Sequence, residues 1–318
     1  MLQRRGSLRA VSGSKRPHRV VAPVQSERLG FFPLWQALDR NASRKRTVDH
    51  QWRSLRPLVR LCQRLRFTLR CQMDLHKIRN TTLQFYSHFC GTNIAELESG
   101  IHFIRSPERD KPLKGLGENK YSLFILVKDA LSVISYSPDH QAFVDGLTGH
   151  STEEILSAAK QSGKFRHMRL FLFHGETVFQ YGNAKILEAS DYPLFETFFR
   201  SAYPSANPDG WLHEYFSEKA AKEYLAGYMK EGRLVSVCDA PDMPYMEDQI
   251  QHTGIMTLPE ERRKGYARST AALSTHHLLE MGVCPQWECS AQNTASCKLA
   301  QALGYREYAQ AYIWEEHA

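Results

Sequence analysis

The feature that most constrains this 318-residue chain is a basic turn between a strand-like segment and a helix. The apolar segment from Gln251 to Leu258 leads into the turn, which has the pattern Arg-x-x-Gly-x-Ala from Arg262 to Ala267. The first backbone N–H groups of a helix lack internal acceptors and lie at the positive end of its dipole, so they bind anions readily. Gly265 lets the backbone approach a phosphate without a Cβ in the way, and Ala267 leaves room at the next contact. The segment is therefore predicted to bind a pyrophosphate.

Four basic side chains surround the predicted anion site: Arg262, Arg263, Lys264 and Arg268. Cations at a helix N-terminus oppose the dipole, which favours a bound anion over a solvated basic first turn. The strings for a dinucleotide fingerprint, Gly-x-Gly-x-x-Gly, and for a nucleotide triphosphate loop, Gly-x-x-x-x-Gly-Lys-Ser/Thr, do not occur. After the turn, small and apolar residues recur at spacings of three and four, which predicts a helix that ends at Gly282.

The order of these segments resembles the GNAT superfamily of acyl-CoA-dependent N-acetyltransferases, whose signature is Arg/Gln-x-x-Gly-x-Gly/Ala at the start of the third helix. Downstream, Pro285–Ser290 resembles the fifth strand of that family, Asn293–Ser296 a capped helix start, and Leu299–Tyr305 the end of the fourth helix. The resemblance extends from about Tyr181 to the end of the sequence. It implies an α/β fold in which a central mixed, mostly antiparallel sheet is flanked by helices.

Charge and texture divide the chain into three segments. Residues 1–70 contain 17 of the 41 Lys and Arg but only 3 of the 34 Asp and Glu, so their net charge is +14, whereas residues 71–318 carry −7. We predict a basic, disordered extension at 1–70, a smaller α/β partner domain at 71–180, and a GNAT-like acetyltransferase domain at 181–318. The extension is compatible with an organellar transit peptide, with a nucleic-acid-binding arm, or with a leader that has no role. A short basic amphipathic helix is predicted within it, around residues 55–69.

Hydrophobic patterns predict the main elements on both sides of residue 180. Before it, the sequence predicts strands at Tyr121–Val127, Ala130–Tyr136 and Met168–Phe173 and a helix at Thr152–Lys160. After it, the sequence predicts strands at Ala184–Ala189 and Leu234–Cys238 and helices at Tyr192–Ala202 and His213–Lys230.

The composition indicates an intracellular protein without a membrane span. No apolar stretch approaches the roughly 20 residues that cross a bilayer, so a cytoplasmic protein is expected, with targeting by the Arg-rich leader left open. The seven cysteines form no Cys-x-x-Cys pair and no ligand array with histidine, and their odd number argues against a disulfide framework. His276 and His277 are neighbours on a predicted helix and point apart, so no metal site is predicted.

The resemblance implies acetyl-CoA as the co-substrate and direct attack by an amine. In the family, backbone groups of the fourth strand bind the pantetheine arm, and Met256, Thr257 and Leu258 hold those positions here. Asn293 matches the family asparagine beside the fifth strand and also fits a helix cap, and Ser296 offers a hydroxyl near the sulfur. The pyrophosphate is expected at Arg262, Arg263, Lys264, Gly265, Tyr266, Ala267 and Arg268.

The glutamate that many relatives use as a base is absent. It lies about fourteen residues before the signature glycine, where this chain has Gln251. His252, Glu247 and Asp248 are the nearby titratable candidates. The reference pKa of histidine, near 6.5, is closest to neutral pH, although a partly buried structural histidine is the competing interpretation of His252.

The family's usual acid, a tyrosine five residues before the final aromatic, is also absent, because Ala300 occupies that position. Tyr305 corresponds to the structural aromatic and is predicted to lie in the core. Tyr312 and Tyr308, in the final strand region, are the candidate substitutes.

These features predict an N-acetyltransferase that moves an acetyl group from acetyl-CoA to a primary amine of a small molecule, as a monomer or homodimer. A non-catalytic acyl-CoA-binding or regulatory protein is the alternative, since the missing glutamate and tyrosine would permit it. Nucleic-acid binding through residues 1–70 is a weaker alternative. No membrane partner is expected.

Overall fold

The computed structural model describes residues 73–115, 120–175 and 180–315. The predicted extension at 1–70 and its amphipathic helix lie outside these residues. The helices of the described chain are α1 (Leu75–Cys90), α2 (Gln141–Asp145), α3 (Thr152–Gln161), α4 (Tyr192–Ala202), α5 (Leu212–Ala221), α6 (Tyr266–Glu280) and α7 (Thr294–Ala302). The strands are β1 (Gly100–Arg105), β2 (Leu123–Lys128), β3 (Leu131–Tyr136), β4 (Phe165–Phe173), β5 (Ala184–Ile186), β6 (Ala226–Lys230), β7 (Arg233–Asp239), β8 (Ile250–His252), β9 (Gly254–Thr257), β10 (Cys284–Ser290) and β11 (Tyr305–Trp314).

The strands form two sheets. One has seven strands in the order β1-β3-β2-β11-β4-β10-β8, and the other has four strands in the order β5-β6-β7-β9. Neighbouring strands are antiparallel except in the β1–β3 and β8–β10 pairs, which are parallel. The expected mixed, mostly antiparallel sheet flanked by helices is thereby confirmed.

Strand β4 joins the two halves of the chain. It pairs with β11 from Phe165↔Trp314 to Phe173↔Tyr305 and with β10 on its other edge. The side chain of Phe171, at the centre of β4, is fully buried. Strands from both sides of residue 180 therefore share one sheet, and the division into domains at that residue stays a prediction.

Helix α1 was not predicted from the sequence, although both of its ends are marked. The Asp74 side chain caps the first turn by accepting from the Lys77 N–H at 2.8 Å, and Gly91 ends the helix in the left-handed region at φ 66°. Its buried residues, which include Ile78, Phe85 and Phe89, follow helical spacing. The helix covers β10, β4 and β8 on one face of the seven-stranded sheet.

The predicted helix over 213–230 is wrong in its second half. Helix α5 ends at Ala221, and Glu223 takes a positive φ of 59°, which turns the chain into β6. Leu225 and Ala226 are fully buried and extend the four-stranded sheet. A Cβ at Gly227 would lie 2.5 Å from Leu234 Cδ2, so the leucine packs closely against the strand at this glycine. Tertiary packing thus decides the conformation of this segment.

The four-stranded sheet is covered on both faces. Neighbouring residues of a strand point to opposite sides, and Val237 of β7 packs with Phe195 and Phe199 of α4. Cys238 packs on the other side, in the cluster that contains Ala271 of α6. Helices α4 and α6 therefore lie on opposite faces of β7.

Candidate functional site

The N-terminus of α6 has the conformation predicted for an anion-binding turn. Its N-cap residue is Gly265, at φ 86° and ψ −5°, a left-handed conformation that glycine adopts without strain. The Ser269 N–H donates to the Gly265 carbonyl at 3.1 Å, so the preceding N–H groups lie before the first helical bond. A Cβ at Gly265 would meet nothing within 4 Å. The residue is therefore constrained by its φ, and the space in front of the turn is open.

Two of the predicted cations are turned back onto the protein. Arg262 Nε donates to the Thr257 carbonyl at 3.2 Å. Lys264 Nζ donates to the Glu260 carbonyl at 2.9 Å and to Glu261 Oε2 at 2.8 Å. These contacts fix the shape of the turn. Because Arg262 and Lys264 are engaged by the protein, fewer positive side chains point toward a ligand than the sequence predicts.

The other side chains of the turn differ in their exposure. Arg263 and Arg268 are exposed, and Arg263 has a positive φ of 61°. The Tyr266 ring is stacked on Tyr228 of β6 with 4.5 Å between centroids. Two exposed guanidinium groups, an open glycine turn and N–H groups ahead of the helical ladder together fit a diphosphate.

A buried carboxylate, Glu261, forms ion pairs beside this turn. Glu261 is only 3% exposed and forms ion pairs with Lys230 at 3.0 Å, Arg233 at 2.8 Å and Lys264 at 2.8 Å. Hydrogen bonds from Lys264 and then Lys230 lower the pKa of Glu261. The carboxylate thus holds three cations at the start of the helix.

Replacement of Glu261 by glutamine should destabilise the protein in a pH-dependent way. Since the folded-state pKa of Glu261 is lowered, its stabilising contribution is present above the ordinary glutamate pKa and is lost as pH falls through the folded value. We expect Glu261→Gln to lower the Tm most at pH 7 and progressively less below about pH 4.5, as measured by circular dichroism. Glu260→Gln, at a more exposed neighbour, is the control. A Tm difference that is the same at every pH would contradict the ion-pair account.

The strand before the turn leaves one sheet and enters the other. Strand β8 pairs in parallel with β10, ending at His252↔Gln286, and Thr253 donates to the Gln286 carbonyl at 3.3 Å. From Gly254 onward the chain pairs with β7 of the other sheet. Strands β9 and β10 therefore diverge after Thr253, and the gap between them is called the slot below.

The two edges of β9 are used differently. Met256 accepts at its carbonyl from Ser236 Oγ at 3.2 Å, and the Leu258 N–H donates to the Val235 carbonyl at 3.1 Å. Backbone groups alternate in direction along an antiparallel strand, so those of Thr257 face the slot, as its bond to Arg262 also shows. Three backbone positions were predicted to bind the cofactor. Only the backbone groups of Thr257 are directed to the slot, because those of Met256 and Leu258 form hydrogen bonds with β7.

Asn293 has the capping geometry that was one of its two predicted roles. Its Oδ1 accepts from the Ser296 N–H at 3.1 Å at the start of α7. The Ser296 hydroxyl accepts from Trp287 Nε1 at 3.1 Å, which links α7 to β10. Contact of either residue with a cofactor stays a prediction.

Comparison with known proteins identifies the segment that contains this turn. The model of the GNAT acetyltransferase family matches residues 214–313. Residues 214–313 form a GNAT acetyltransferase domain. The match to this family supports acetyl transfer as the general type of reaction. Comparison with curated proteins gave no significant match.

Several solved structures to which this chain is distantly similar are described as acetyltransferases. A GNAT-family acetyltransferase from Colwellia psychrerythraea is 15% identical, with 62% of this chain and 82% of that chain covered and a TM-score of 0.42. A GCN5-related N-acetyltransferase-like protein from Streptococcus suis 89/1591 is 18% identical, with 63% and 86% covered and a TM-score of 0.37. A putative acetyltransferase from Salmonella typhimurium, solved with its cofactor acetyl-CoA, is 13% identical, with 42% and 95% covered and a TM-score of 0.34. The family match, rather than these distant alignments, carries the assignment.

His252 lies beside the slot of the GNAT domain with one ring nitrogen engaged. Its Nε2 accepts from the Glu288 N–H at 3.1 Å. Burial lowers the pKa of His252 to about 4, so the ring is neutral at pH 7. Its role as a proton acceptor stays a prediction, and this geometry favours the structural interpretation.

Glu247 and Asp248 belong to a surface ion-pair network. Glu247 contacts Lys114 and also accepts from Lys222 at 3.0 Å, and these hydrogen bonds lower its pKa to about 2. Asp248 lies 3.1 Å from the same lysine and accepts from Tyr224 OH at 3.1 Å. Glu247 is thus stabilised as an anion, which makes it a weak base.

The candidate acids of the GNAT domain lie in packed surroundings. Tyr312 is 2% exposed and stacks on His167 in the cluster beneath α2 and α3. The predicted core position of Tyr305 is confirmed, since it is 1% exposed and its OH lies 2.9 Å from Thr275 Oγ1. Tyr308 stacks on Tyr86 of α1 with 5.8 Å between ring centroids. The catalytic role of Tyr312 stays a prediction.

Sequence reasoning missed a carboxylate at the end of β7. Asp239 pairs with Gly254 in the last register position of β7 and β9. Its Oδ1 is buried and has no hydrogen-bond partner among the described residues. A Cβ at Gly254 would lie 1.9 Å from this oxygen, so the carboxylate rests on the glycine backbone. The available sequence signal was a single acidic residue that ends an otherwise apolar strand.

The described residues contain no cluster of three or more metal-ligating side chains. Within the same parts of the chain, no helix has the length and apolar character to span a bilayer. The five described cysteines are free and buried.

Proposed function

We propose that this protein is an acetyl-CoA-dependent N-acetyltransferase that acts on a primary amine of a small molecule. The observation that carries the proposal is the open turn at Gly265, placed at the end of a strand that diverges from β10 within the matched segment. An open helix start accepts a diphosphate, and a divergent strand offers unpaired backbone groups to an extended, amide-containing arm. The two features occur in the order that one CoA molecule requires.

Different residues of this chain would bind different parts of the cofactor. The N–H groups at the start of α6, with Arg263 and Arg268, would hold the phosphates, and the Thr257 backbone would pair with the arm. Acetyl-CoA supplies the activated acyl group when it is bound. Free, buried cysteines support a reducing, cytoplasmic location, and a monomer or homodimer is part of the same proposal.

Thiol release from acetyl-CoA tests this proposal. The full-length protein should release CoA thiol in the presence of at least one member of a primary amine panel, and mass spectrometry should show the acetylated product. Tight acetyl-CoA binding without turnover across the panel would favour a non-catalytic acyl-CoA-binding protein. Absence of both binding and turnover would contradict both functions.

A further inference from the structure

Glu288 of β10 borders the slot at the point where β9 and β10 separate. The Thr253 N–H donates to the Gln286 carbonyl at 3.3 Å, and the pairing of β8 with β10 ends at Gln286. Two residues later, the Glu288 N–H donates to His252 Nε2 at 3.1 Å. Beyond Gln286, this edge of β10 pairs with no strand of the described residues, because the chain after Thr253 pairs with β7 instead. An arm that runs along β9 from phosphates at the start of α6 therefore leads toward Thr253 and the backbone of Glu288.

The two faces of β10 carry different groups. Neighbouring residues of a strand point to opposite sides of the sheet. Trp287 Nε1 donates to Ser296 of α7 at 3.1 Å, whereas the Glu288 side chain contacts Tyr86 of α1. Helix α7, whose Asn293 and Ser296 are predicted to contact the cofactor, thus lies on one face, and the Glu288 carboxylate lies on the other. An acceptor that approaches the slot from the α1 face meets this carboxylate.

The hydrogen bonds of Glu288 leave one of its carboxylate oxygens available. Gln286 Nε2 donates to the hydroxyl oxygen of Tyr86, and this hydroxyl donates to Glu288 Oε1 at 2.8 Å. No other described residue forms a hydrogen bond with the Glu288 carboxylate. Gln286 Oε1 is enclosed without a partner, but Glu288 Oε2 is not enclosed. A proton accepted by Glu288 is therefore carried on Oε2.

Glu288 is a partly exposed carboxylate in a strand whose neighbouring residues are buried. Gln286 is 0% exposed, Trp287 1% and Cys289 2%, whereas Glu288 retains contact with solvent. It forms no ion pair within 4 Å with any residue that the structure describes. A carboxylate that is largely removed from water and lacks an ion-pair partner is costly for stability. Such groups occur preferentially at functional sites.

Resting on the proposed function, we propose that Glu288 is the proton acceptor of the acetyl transfer and that Tyr86 is its positioning residue. The ammonium group of the acceptor gives one proton to Glu288 Oε2. The neutral nitrogen attacks the thioester carbonyl carbon, the C–N bond forms and the C–S bond breaks. The second nitrogen proton goes to the departing sulfur, and Glu288 later releases its proton to solvent. Helix α1 thus contributes to the reaction site as well as to the fold.

The charges around Glu288 agree with this role. Burial raises the pKa of Glu288, although the hydrogen bond from Tyr86 and the positive charge of Arg166 on β4 counteract part of the rise. A base whose pKa is shifted toward neutral pH is suited to proton transfer. Tyr86 and Tyr121, the residue that precedes β2 by two positions, have pKa values raised mainly by burial and stay neutral. Burial lowers the pKa of His252 on β8 to about 4, so this ring is neutral as well.

The Glu288→Gln variant tests the proton transfer. We expect kcat to fall at least about 100-fold at pH 7, within the range of general base catalysis, with an unchanged Kd for acetyl-CoA in calorimetric titration. The loss of kcat should shrink as the pH approaches the pKa of the amine, near 10 for a lysine-like amine, because solution then supplies neutral amine. A loss that is equal at pH 7 and pH 10 would overturn the proposal. Glu108→Gln, which alters an exposed ion pair with Lys111, should leave kcat unchanged.

The Tyr86→Phe variant tests the positioning role through the pH profile. In the wild type, kcat should fall at acidic pH as Glu288 becomes protonated, and this acid limb should be absent in Glu288→Gln. The hydrogen bond from Tyr86 lowers the pKa of Glu288, so its loss should move the acid limb to higher pH. A merely structural role for Tyr86 would lower the Tm and leave the limb in place, and that result would overturn the proposal.

A structural role for Glu288 predicts a different result. A carboxylate whose pKa is raised in the folded state destabilises the protein when it is ionised, and glutamine keeps an acceptor for the Tyr86 hydroxyl. Glu288→Gln should therefore unfold at the same Tm as the wild type or higher at pH 7. A lower Tm with a proportional loss of acetyl-CoA binding would assign Glu288 to stability alone and overturn the proposal.

Kinetic constants separate this inference from the proposed function. An increase in KM with unchanged kcat in Glu288→Gln would make Glu288 an anchor for the ammonium group, which overturns the inference while the proposed function stands. Failure of the wild type to release thiol with every amine would overturn the proposed function and this inference together.

Discussion

Replacement of Gly265 by tryptophan should abolish acetyl-CoA binding while the protein stays folded. The glycine has φ 86° and no atom within 4 Å of the position of a Cβ, so the indole ring would occupy the open space in front of the turn. In the proposed function, that space holds the cofactor phosphates next to the N–H groups of α6. Loss of two hydrogen bonds to charged oxygens, at about 1.5–3 kcal/mol each, corresponds to an increase in Kd of at least about 100-fold.

Gly149→Trp is the matched control for this variant. Gly149 has a φ of +85° and also has nothing within 4 Å of the position of a Cβ. Both variants therefore carry similar backbone strain, of about 1–3 kcal/mol, and only one blocks the turn. Calorimetric titration with acetyl-CoA and thermal unfolding separate the two effects. A folded Gly265→Trp protein with an unchanged Kd would show that the cofactor phosphates do not lie at α6.

The conformation of the turn at Gly265 was predictable because it is encoded locally. The strand, the glycine turn and the start of α6 lie within Gln251–Arg268, and helix-terminus chemistry acts over one turn. The same holds for the cap at Asn293, whose acceptor and donor are three residues apart. The spacing of residues that are close in sequence was therefore sufficient to predict these features.

The surroundings of Asp239 were not predictable from local sequence because they depend on strand pairing. Asp239 and Gly254 are adjacent only because β7 and β9 pair in one register. The burial that raises the pKa of Asp239 also comes from helices elsewhere in the chain. Conversely, Glu247 lies near the site in sequence but forms ion pairs with Lys114 and Lys222. Proximity in sequence was therefore a poor guide to a base.

The position of β4 between β10 and β11 likewise could not be predicted from the local sequence pattern. The segment Met168–Phe173 was predicted as a strand, but its partners come from residues more than 100 positions later in the chain. Periodicity indicates that a strand is buried on both faces, yet it does not identify its neighbours. The predicted boundary at residue 180 followed from the change in residue pattern and from the family resemblance, which begins at about Tyr181.

A fragment that begins at residue 181 should not fold independently. It lacks β4, which would leave β10 and β11 with unpaired edges. It also loses five buried apolar side chains: Met168, Leu170, Phe171, Leu172 and Phe173. At about 1.5–3 kcal/mol each, these amount to about 8–15 kcal/mol, as large as the entire net stability of an ordinary domain.

Circular dichroism and thermal unfolding of the isolated 181–318 fragment measure this effect. We expect no cooperative transition and no acetyl-CoA binding, with partial recovery of both when a separate 73–180 fragment is added, because β4 can then enter the sheet. The ring of Tyr305, which lies 5.2 Å from that of Phe173 between centroids, should report the recovery by near-ultraviolet circular dichroism. If the 181–318 fragment instead unfolds cooperatively and binds acetyl-CoA as well as the full chain does, residue 180 is a true domain boundary and β4 is dispensable for the fold of the catalytic half.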